Sequence, residues 1–231
     1  MRHWLVVPAA GAGQRFGAGL PKQYLEVAGR RLIEWAIDAF LERAGLLGIR
    51  VALAVDDPHW PRLDLSRRGE VTACAGGELR SDSVLEALRS LEREARADDW
   101  ILVHDAARPC VTRVDVERLL DAVRDDAVGG LLATPLADTL KRADPDQRSA
   151  STVEREHLWR ALTPQVFRYE LLREALESAS QLNVDVTDEA AAVERLNLRP
   201  VLVAGRADNI KVTHREDLEL AAAILTSRQR Q

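Results

Sequence analysis

The apolar run Trp4-Leu5-Val6-Val7 is too short for a helix and empties directly into Pro8-Ala9-Ala10-Gly11-Ala12-Gly13-Gln14-Arg15-Phe16-Gly17. A buried strand that ends in small residues and glycines opens an α/β unit. Such a loop also lets backbone N–H groups approach phosphate oxygens, and Arg15 and Lys22 bring two positive charges to the same place. The combination suits a nucleoside triphosphate. Taken alone, the loop also has a plainer reading as a strand-to-helix turn, and the two cations shift the balance towards phosphate.

Spacing excludes two familiar phosphate loops. Gly11, Gly13 and Gly17 are one residue too widely spaced for the dinucleotide fingerprint, and no acidic residue closes a second strand about 20 residues later. A P-loop needs Gly-Lys followed by Ser or Thr, whereas Lys22 lies between Pro21 and Gln23.

The rest of the chain repeats the strand-to-helix alternation. Arg31 to Phe40 carries Leu32, Ile33, Trp35, Ala36, Ile37 and Phe40 at helical spacing, and Ile49 to Val55 reads as the next strand, completing a βαβ unit. Val71 to Ala75 is a strand that runs into Gly76-Gly77-Glu78-Leu79-Arg80. Ser81 or Asp82 is then the expected N-cap of a helix whose N-terminus would face anions. Trp100 to Val103 is a strand ending in His104-Asp105-Ala106-Ala107-Arg108-Pro109. Helices are expected over Val114 to Val123, Tyr169 to Ser180, the segment capped by Thr187-Asp188-Glu189, and Arg215 to Leu225; strands are expected over Gly129 to Pro135 and Pro200 to Val203. This pattern predicts an α/β fold with a mostly parallel sheet and helices on both faces.

The character changes at Asp138. Thr139 to Ala143 and Ser149 to Glu154 flank Asp144-Pro145-Asp146-Gln147, which predicts a β-hairpin projecting over 136–157 from a single domain spanning 1–231. A two-stranded arm has little core of its own, so a second subunit is its expected support.

A carboxylate where a parallel strand emerges is placed to hold Mg²⁺ beside a triphosphate, because ligands of open α/β sheets bind at the carboxyl ends of strands. Asp105 occupies that position, although it equally suits a cap on the following turn, and His104 suits a structural role. A hydrolytic triad of Ser83, His104 and Asp105 is excluded: neighbouring strand residues point to opposite faces and there is no G-x-S-x-G elbow. Arg15, Lys22, Asp105, Arg108, Asp208 and Lys211 all lie on or just beyond loops that follow predicted strands, so they can converge on one rim.

Composition bounds the partners. With 32 Lys+Arg against 37 Asp+Glu in 231 residues the chain is mildly acidic, which argues against nucleic acid held by a broad basic face. Its positive charge must act locally. Cys74 and Cys110 form no C-x-x-C, the N-terminal apolar run is short for a signal peptide, and no stretch approaches the ~18 apolar residues of a membrane span. The expectation is a reduced, cytoplasmic protein with no membrane partner.

Seven motifs together carry a resemblance: Pro8-Ala9-Ala10-Gly11-x-Gly13-x-Arg15, Pro21-Lys22-Gln23-Tyr24, Asp82-Ser83-Val84, Val103 to Pro109, Ala161-Leu162-Thr163-Pro164-Gln165, Thr187-Asp188-Glu189-Ala190 and Gly205 to Thr213. Their order and span over nearly the whole chain resemble the 2-C-methyl-D-erythritol 4-phosphate cytidylyltransferase family. The resemblance implies a Rossmann-like nucleotidyltransferase domain whose β-arm exchanges within a homodimer. It implies transfer of CMP from CTP to a polyol phosphate with release of pyrophosphate, assisted by Mg²⁺.

By the same resemblance, Arg15, Lys22 and Lys211 are catalytic, together with Arg155 reaching in from the neighbouring arm; from its residues alone, Arg155 reads as a solvated arginine. Ala9, Ala10, Gly11, Gly13, Gly77, Glu78, Ser83 and Ala106 surround CTP, Asp105 holds the metal, and Asp105, Arg108, Thr134, Thr187 and Asp208 lie on the substrate side. Two departures stand out. Gln14 replaces a frequent second basic residue, and Glu78-Leu79 replaces an Asp-Glu pair. The rivals are ribitol-5-phosphate cytidylyltransferase, which shares the scaffold, and a nucleotide-binding regulator without catalysis.

Overall fold

The computed structural model describes residues 1–11 and 19–230. Gly13, Gln14 and Arg15, which carry part of the nucleotide-loop expectation, lie outside the described residues. In chain order the strands are β1 (His3–Pro8), β2 (Glu26–Val27), β3 (Arg30–Arg31), β4 (Leu46–Leu53), β5 (Val71–Ala75), β6 (Trp100–Val103), β7 (Gly129–Pro135), β8 (Leu140–Ala143), β9 (Ser149–Val153), β10 (Trp159–Arg168) and β11 (Val201–Ala204). The α-helices are α1 (Leu32–Asp38), α2 (Arg80–Ser90), α3 (Arg113–Ala122), α4 (Tyr169–Gln181), α5 (Glu189–Glu194) and α6 (Arg215–Gln229).

Seven strands form the central sheet in the order β11-β7-β10-β6-β1-β4-β5. Pairings β1 with β4, β1 with β6, β4 with β5 and β7 with β11 are parallel; β10 runs antiparallel to both β6 and β7. The sheet is therefore mostly parallel, as its alternation with helices requires. Strand order turns back at β1: the chain moves outward through β4 and β5, then returns to place β6 on β1's other side. That reversal opens a crevice at the carboxyl ends of β1 and β6, where α/β sheets bind ligands.

Period-two alternation along β1 sorts its side chains into two cores. Leu5 and Val7 pack in one with Ile33, Ile37 and Phe40 around α1 and Val116 and Leu119 of α3. Trp4 and Val6 pack in the other with Val84 and Leu88 of α2, Leu172 and Leu176 of α4, and Val193 of α5. Strands buried on both faces read as continuous apolar runs, which is why Trp4 to Val7 and Trp100 to Val103 stand out in the sequence. A smaller cluster of Val27, Leu32, Val212, Ala221 and Leu225 seats α6 beside β2.

Two local expectations need correction, and one segment carried none. The N-cap of α2 is Leu79, not Ser81 or Asp82; Asp82 sits at the third helical position and its carboxylate accepts the Leu79 N–H at 3.1 Å. Strand β4 begins at Leu46 and ends at Leu53, before Asp56 adopts a positive φ of 57°. Trp159 to Phe167, whose apolar pattern is broken by Arg160, Thr163 and Gln165, lies in β10, which runs against both its neighbours. Its first three residues are exposed and the next six buried, so no single period describes it.

β8 and β9 form a separate antiparallel sheet, with Leu140 opposite Val153 and Ala143 opposite Ser149. Most of its side chains face solvent; only Leu140 and Val153 are half-buried.

Candidate active site

The crevice is a cleft lined by the end of β1 (Pro8, Ala9, Ala10, Gly11), the turn before α2 (Gly77, Glu78, Leu79, Arg80, with Ser83), the end of β6 (Asp105, Ala106, Ala107), and Lys22, Gln23 and Lys211. Segments remote in sequence thus supply one wall each. Glycine is required in the turn after β5: a Cβ on Gly76 would lie 2.5 Å from Ala10 Cβ and 2.9 Å from Ser83 Oγ. Ser83 is buried, and its hydroxyl accepts the Gly77 N–H at 3.1 Å, so it shapes the glycine turn.

Lys22 is carried on a 3₁₀ turn, Lys22–Tyr24, that is pinned from both sides. Buried Gln23 donates Nε2–H to the Ala9 carbonyl at 2.7 Å, tying this turn to the loop after β1. The Tyr24 hydroxyl donates to Asp57 Oδ2 at 2.8 Å. The Lys22 ammonium lies 3.5 Å from the Val212 carbonyl, next to Lys211 in sequence. Lysines from the two ends of the polypeptide therefore reach one cleft.

Asp105 is the electrostatic centre. Arg80 Nε–H donates to its Oδ1 at 2.8 Å, Lys211 Nζ lies 2.9 Å from Oδ2, and Arg108 Nε lies 3.7 Å from Oδ2. Burial alone would raise its pKa, but Arg80, Lys211 and Arg108 hold the carboxyl well below the ordinary carboxylate range. Arg80 is in turn gripped by Glu189, whose two oxygens accept Nη1–H at 2.6 Å and Nη2–H at 3.1 Å. Burial would lower the pKa of Arg80, and the two carboxylates raise it instead.

His104 has the structural role that its strand position suits. The Asp105 N–H donates to Thr163 Oγ1 at 3.1 Å, Thr163 Oγ1 lies 2.9 Å from His104 Nδ1, and His104 Nε2 lies 3.1 Å from the Arg108 carbonyl. The bonds are mutually consistent when His104 is neutral with its proton on Nε2. Burial pushes its pKa down to about 4, which keeps it neutral at pH 7. The chain of bonds fixes the backbone on both sides of Asp105.

Of the residues singled out in the sequence, Ala9, Ala10, Gly11, Lys22, Gly77, Glu78, Ser83, Asp105, Ala106 and Lys211 line this cleft together. Arg108 stands beside it, donating Nη1–H to the Asn209 carbonyl at 2.8 Å. Thr134 is buried near the carboxyl end of β7, opposite Arg160, and Thr187 is exposed just before α5. Asp208 is turned away from this cleft: its carboxylate pairs with Arg206 at 2.7 Å and Arg228 at 2.8 Å, tying the loop after β11 to α6. Arg155 is exposed in the turn after β9.

Arg80 and Glu189 carry no role in the sequence reading, although each stands in a motif it quotes. A cation at the first residue of a helix is disfavoured by the helix dipole and calls for a local carboxylate partner, but with the N-cap expected at Ser81 or Asp82 the sequence leaves Arg80 outside the helix, and only the observed boundary supplies that signal.

Mg²⁺ of the kind that keeps most of its ligands from water and substrate phosphate would find a protein oxygen at Asp105 once Lys211 moves off Oδ2. Asp105 contributes one ionised hard oxygen donor, and among the described residues no group of three His, Cys, Asp or Glu side chains could hold a metal without such help. No helix among the described residues is long and apolar enough to cross a membrane.

Comparison with known proteins agrees with this geometry. Proteins named 2-C-methyl-D-erythritol 4-phosphate cytidylyltransferase from Pseudomonas paraeruginosa and Ectopseudomonas mendocina are 54% and 51% identical to the chain. The first match covers 93% of this chain and 92% of the relative; the second covers 100% and 98%. Among solved structures, a 4-diphosphocytidyl-2C-methyl-D-erythritol synthase superposes with a TM-score of 0.85 at 33% identity, covering 97% of this chain and 98% of the other. The cytidylyltransferase from Thermus thermophilus superposes with a TM-score of 0.81 at 32% identity, covering 98% and 100%. The profile of one family matches residues 4–227, and the chain belongs to that family, the 2-C-methyl-D-erythritol 4-phosphate cytidylyltransferases.

Proposed function

We propose that this enzyme transfers the cytidylyl group of CTP to the phosphate of 2-C-methyl-D-erythritol 4-phosphate, giving 4-diphosphocytidyl-2-C-methyl-D-erythritol and pyrophosphate. The observation that supports this reading most is the meeting of Lys22 and Lys211 at one strand-end cleft around an ionised Asp105. In the reaction a phosphate oxygen of the acceptor attacks the α-phosphorus in line. One oxygen–phosphorus bond forms as the bond to the pyrophosphate oxygen breaks, and the electron pair leaves with pyrophosphate.

Bringing two polyanions together needs fixed positive charge far more than proton transfer, because the attacking phosphate is already a nucleophile. Lys22 stabilises charge developing on the triphosphate, and Arg15 shares that role by resemblance. Lys211 orients the acceptor phosphate, with Arg108 beside it across Asp105, and Thr134 is on the substrate side by resemblance. The backbone of Ala9 to Gly11, the Gly77 turn and Ala106 form a narrow slot suited to a pyrimidine. Asp105 would hold Mg²⁺, which would supply charge neutralisation to the phosphates.

The β8–β9 hairpin, as part of an arm over 136–157, serves as a dimerisation element that carries Arg155 to the partner's acceptor site. Its exposed faces and scant core support this role. The free thiols of Cys74 and Cys110 suit the reducing cytoplasm.

The test is pyrophosphate release from CTP and Mg²⁺ with methylerythritol phosphate or ribitol 5-phosphate as acceptor. Turnover with methylerythritol phosphate is expected. Turnover with ribitol phosphate alone would replace the acceptor, and no release with either would replace the enzyme by a nucleotide-binding protein.

A further inference from the structure

The geometry points to Arg80 and Glu189 as a positioning pair that holds Asp105 for the reaction. The inference rests on the proposed role of Asp105 and deepens it. Arg80 begins α2 and Glu189 begins α5, and they meet beside the carboxyl end of β6. Both Glu189 oxygens engage the two Nη groups of Arg80, which aims its Nε–H at Asp105 Oδ1.

The arrangement costs more than a fold requires. Glu189 has a side chain only 1% exposed, and burying an ion pair is commonly no better for stability than an apolar pair of similar size. Arg80 also stands at a helix N-terminus, where the dipole opposes a cation. What the pair supplies is geometry: a planar guanidinium held at two points can shift or rotate little, so the third bond fixes one Asp105 oxygen. The other oxygen, Oδ2, faces Lys211, whose side chain is 42% exposed and therefore able to move to a phosphate.

A direct role for Arg80 as a phosphate ligand fits less well. Three of its N–H groups are already committed, and Glu189 offsets its charge within the same bidentate contact. Lys22 and Lys211 line the same cleft and carry the charge that meets phosphate.

Three single variants and one double variant of the full-length protein test this. Arg80→Lys keeps the charge but cannot fork between two carboxylates. Glu189→Gln keeps the shape but loosens the grip on Arg80. Each is expected to lower kcat about 10- to 100-fold, the scale of misplacing a group that supports the chemistry. KM for CTP should stay within about threefold; because Glu189→Gln leaves a buried arginine short of a paired charge, its melting temperature should fall, and kcat is taken per folded molecule.

Because both act through Asp105, adding Arg80→Lys to Asp105→Asn should lower kcat by less than about twofold beyond Asp105→Asn alone. A multiplicative loss in the double variant would make Arg80 an independent ligand and overturn the proposal. So would wild-type kcat in Arg80→Lys or Glu189→Gln, or a loss accounted for wholly by unfolding in both. Failure of the proposed reaction itself would appear separately, as wild-type enzyme inactive on methylerythritol phosphate.

Discussion

Two buried aspartates bracket β6 and use their charge in opposite ways. Asp99, just before the strand, accepts Arg2 Nε–H at 2.7 Å, Arg2 Nη2–H at 3.1 Å, Trp4 Nε1–H at 3.2 Å and the Arg96 N–H at 3.0 Å. Its donors come from the N-terminal segment entering β1 and from the turn leading into β6, so it knits the amino end of the sheet. Asp105, just after the strand, is surrounded by Arg80, Lys211 and Arg108, two of which line a cleft. The same residue type closes the frame at one end and collects cations for a ligand at the other. In a parallel sheet this asymmetry follows from topology: ligands bind outside the carboxyl ends of the strands, where strand order reverses.

Substitutions at the two ends should therefore separate activity from stability. The largest loss is expected for Lys22→Ala in the cleft, a fall in kcat of about 10²- to 10³-fold, the scale of removing one transition-state charge stabiliser. Steady-state turnover checks it, and a loss of less than twofold would remove Lys22 from the chemistry. Asp105→Asn should likewise act mainly on turnover.

Asp99→Asn should do the reverse. It leaves Arg2 facing a neutral amide, and an unfolding free energy lower by about 1 to 3 kcal/mol is expected from denaturant titration. Turnover per folded molecule should stay within about twofold of wild type. A collapse of kcat in Asp99→Asn with stability intact would break the contrast between the two ends.

Acid sharpens it further. Burial would raise the Asp99 carboxyl, but Arg2, the Arg96 N–H and the Trp4 indole N–H together lower it below its ordinary value. A carboxyl whose pKa is lower folded than unfolded gives stability that is fully present above about pH 4 and lost as pH falls through its folded value. Denaturant midpoints measured from pH 6 downward should fall in wild type and fall less steeply in Asp99→Asn.

The smallest stability effect is expected at Arg155, outside both ends. Arg155→Ala should change unfolding free energy by no more than about 0.5 kcal/mol, as for other solvated positions. It should raise KM for the acceptor about tenfold, the cost of one charge-assisted contact, with CTP binding nearly unchanged. Mixed dimers of Arg155→Ala and Lys22→Ala chains should recover activity if the arm works across subunits; no recovery in a verified mixed dimer would end that role.

Much of this was legible beforehand because it is local. Trp4 to Val7 running into small residues marks a buried strand and a phosphate-sized turn, and Trp100 to Val103 followed by His104-Asp105 places a carboxylate at a strand end. The antiparallel direction of β10 was not legible, since Thr163 and Gln165 interrupt its apolar pattern for reasons that lie elsewhere: Thr163 Oγ1 accepts the Asp105 N–H, and Gln165 Oε1 accepts the Ala190 N–H at 2.8 Å. Nor are the partners of Asp208 legible in the sequence. It follows a strand as Asp105 does, yet its carboxylate is taken by Arg206 and Arg228.

The amino-acid sequence by itself determined the elements, the character of the sheet and the chemistry of the loops, because hydrophobic period, glycine placement and local charge act over a few residues. Only the tertiary structure decided which charges meet. Arg80, Asp105, Glu189 and Lys211 come from four separate segments, and their pairing depends on strand order and helix placement. Coulomb interaction in a buried cleft is strong only at contact distance, so the site's electrostatics exist nowhere until the chain has folded.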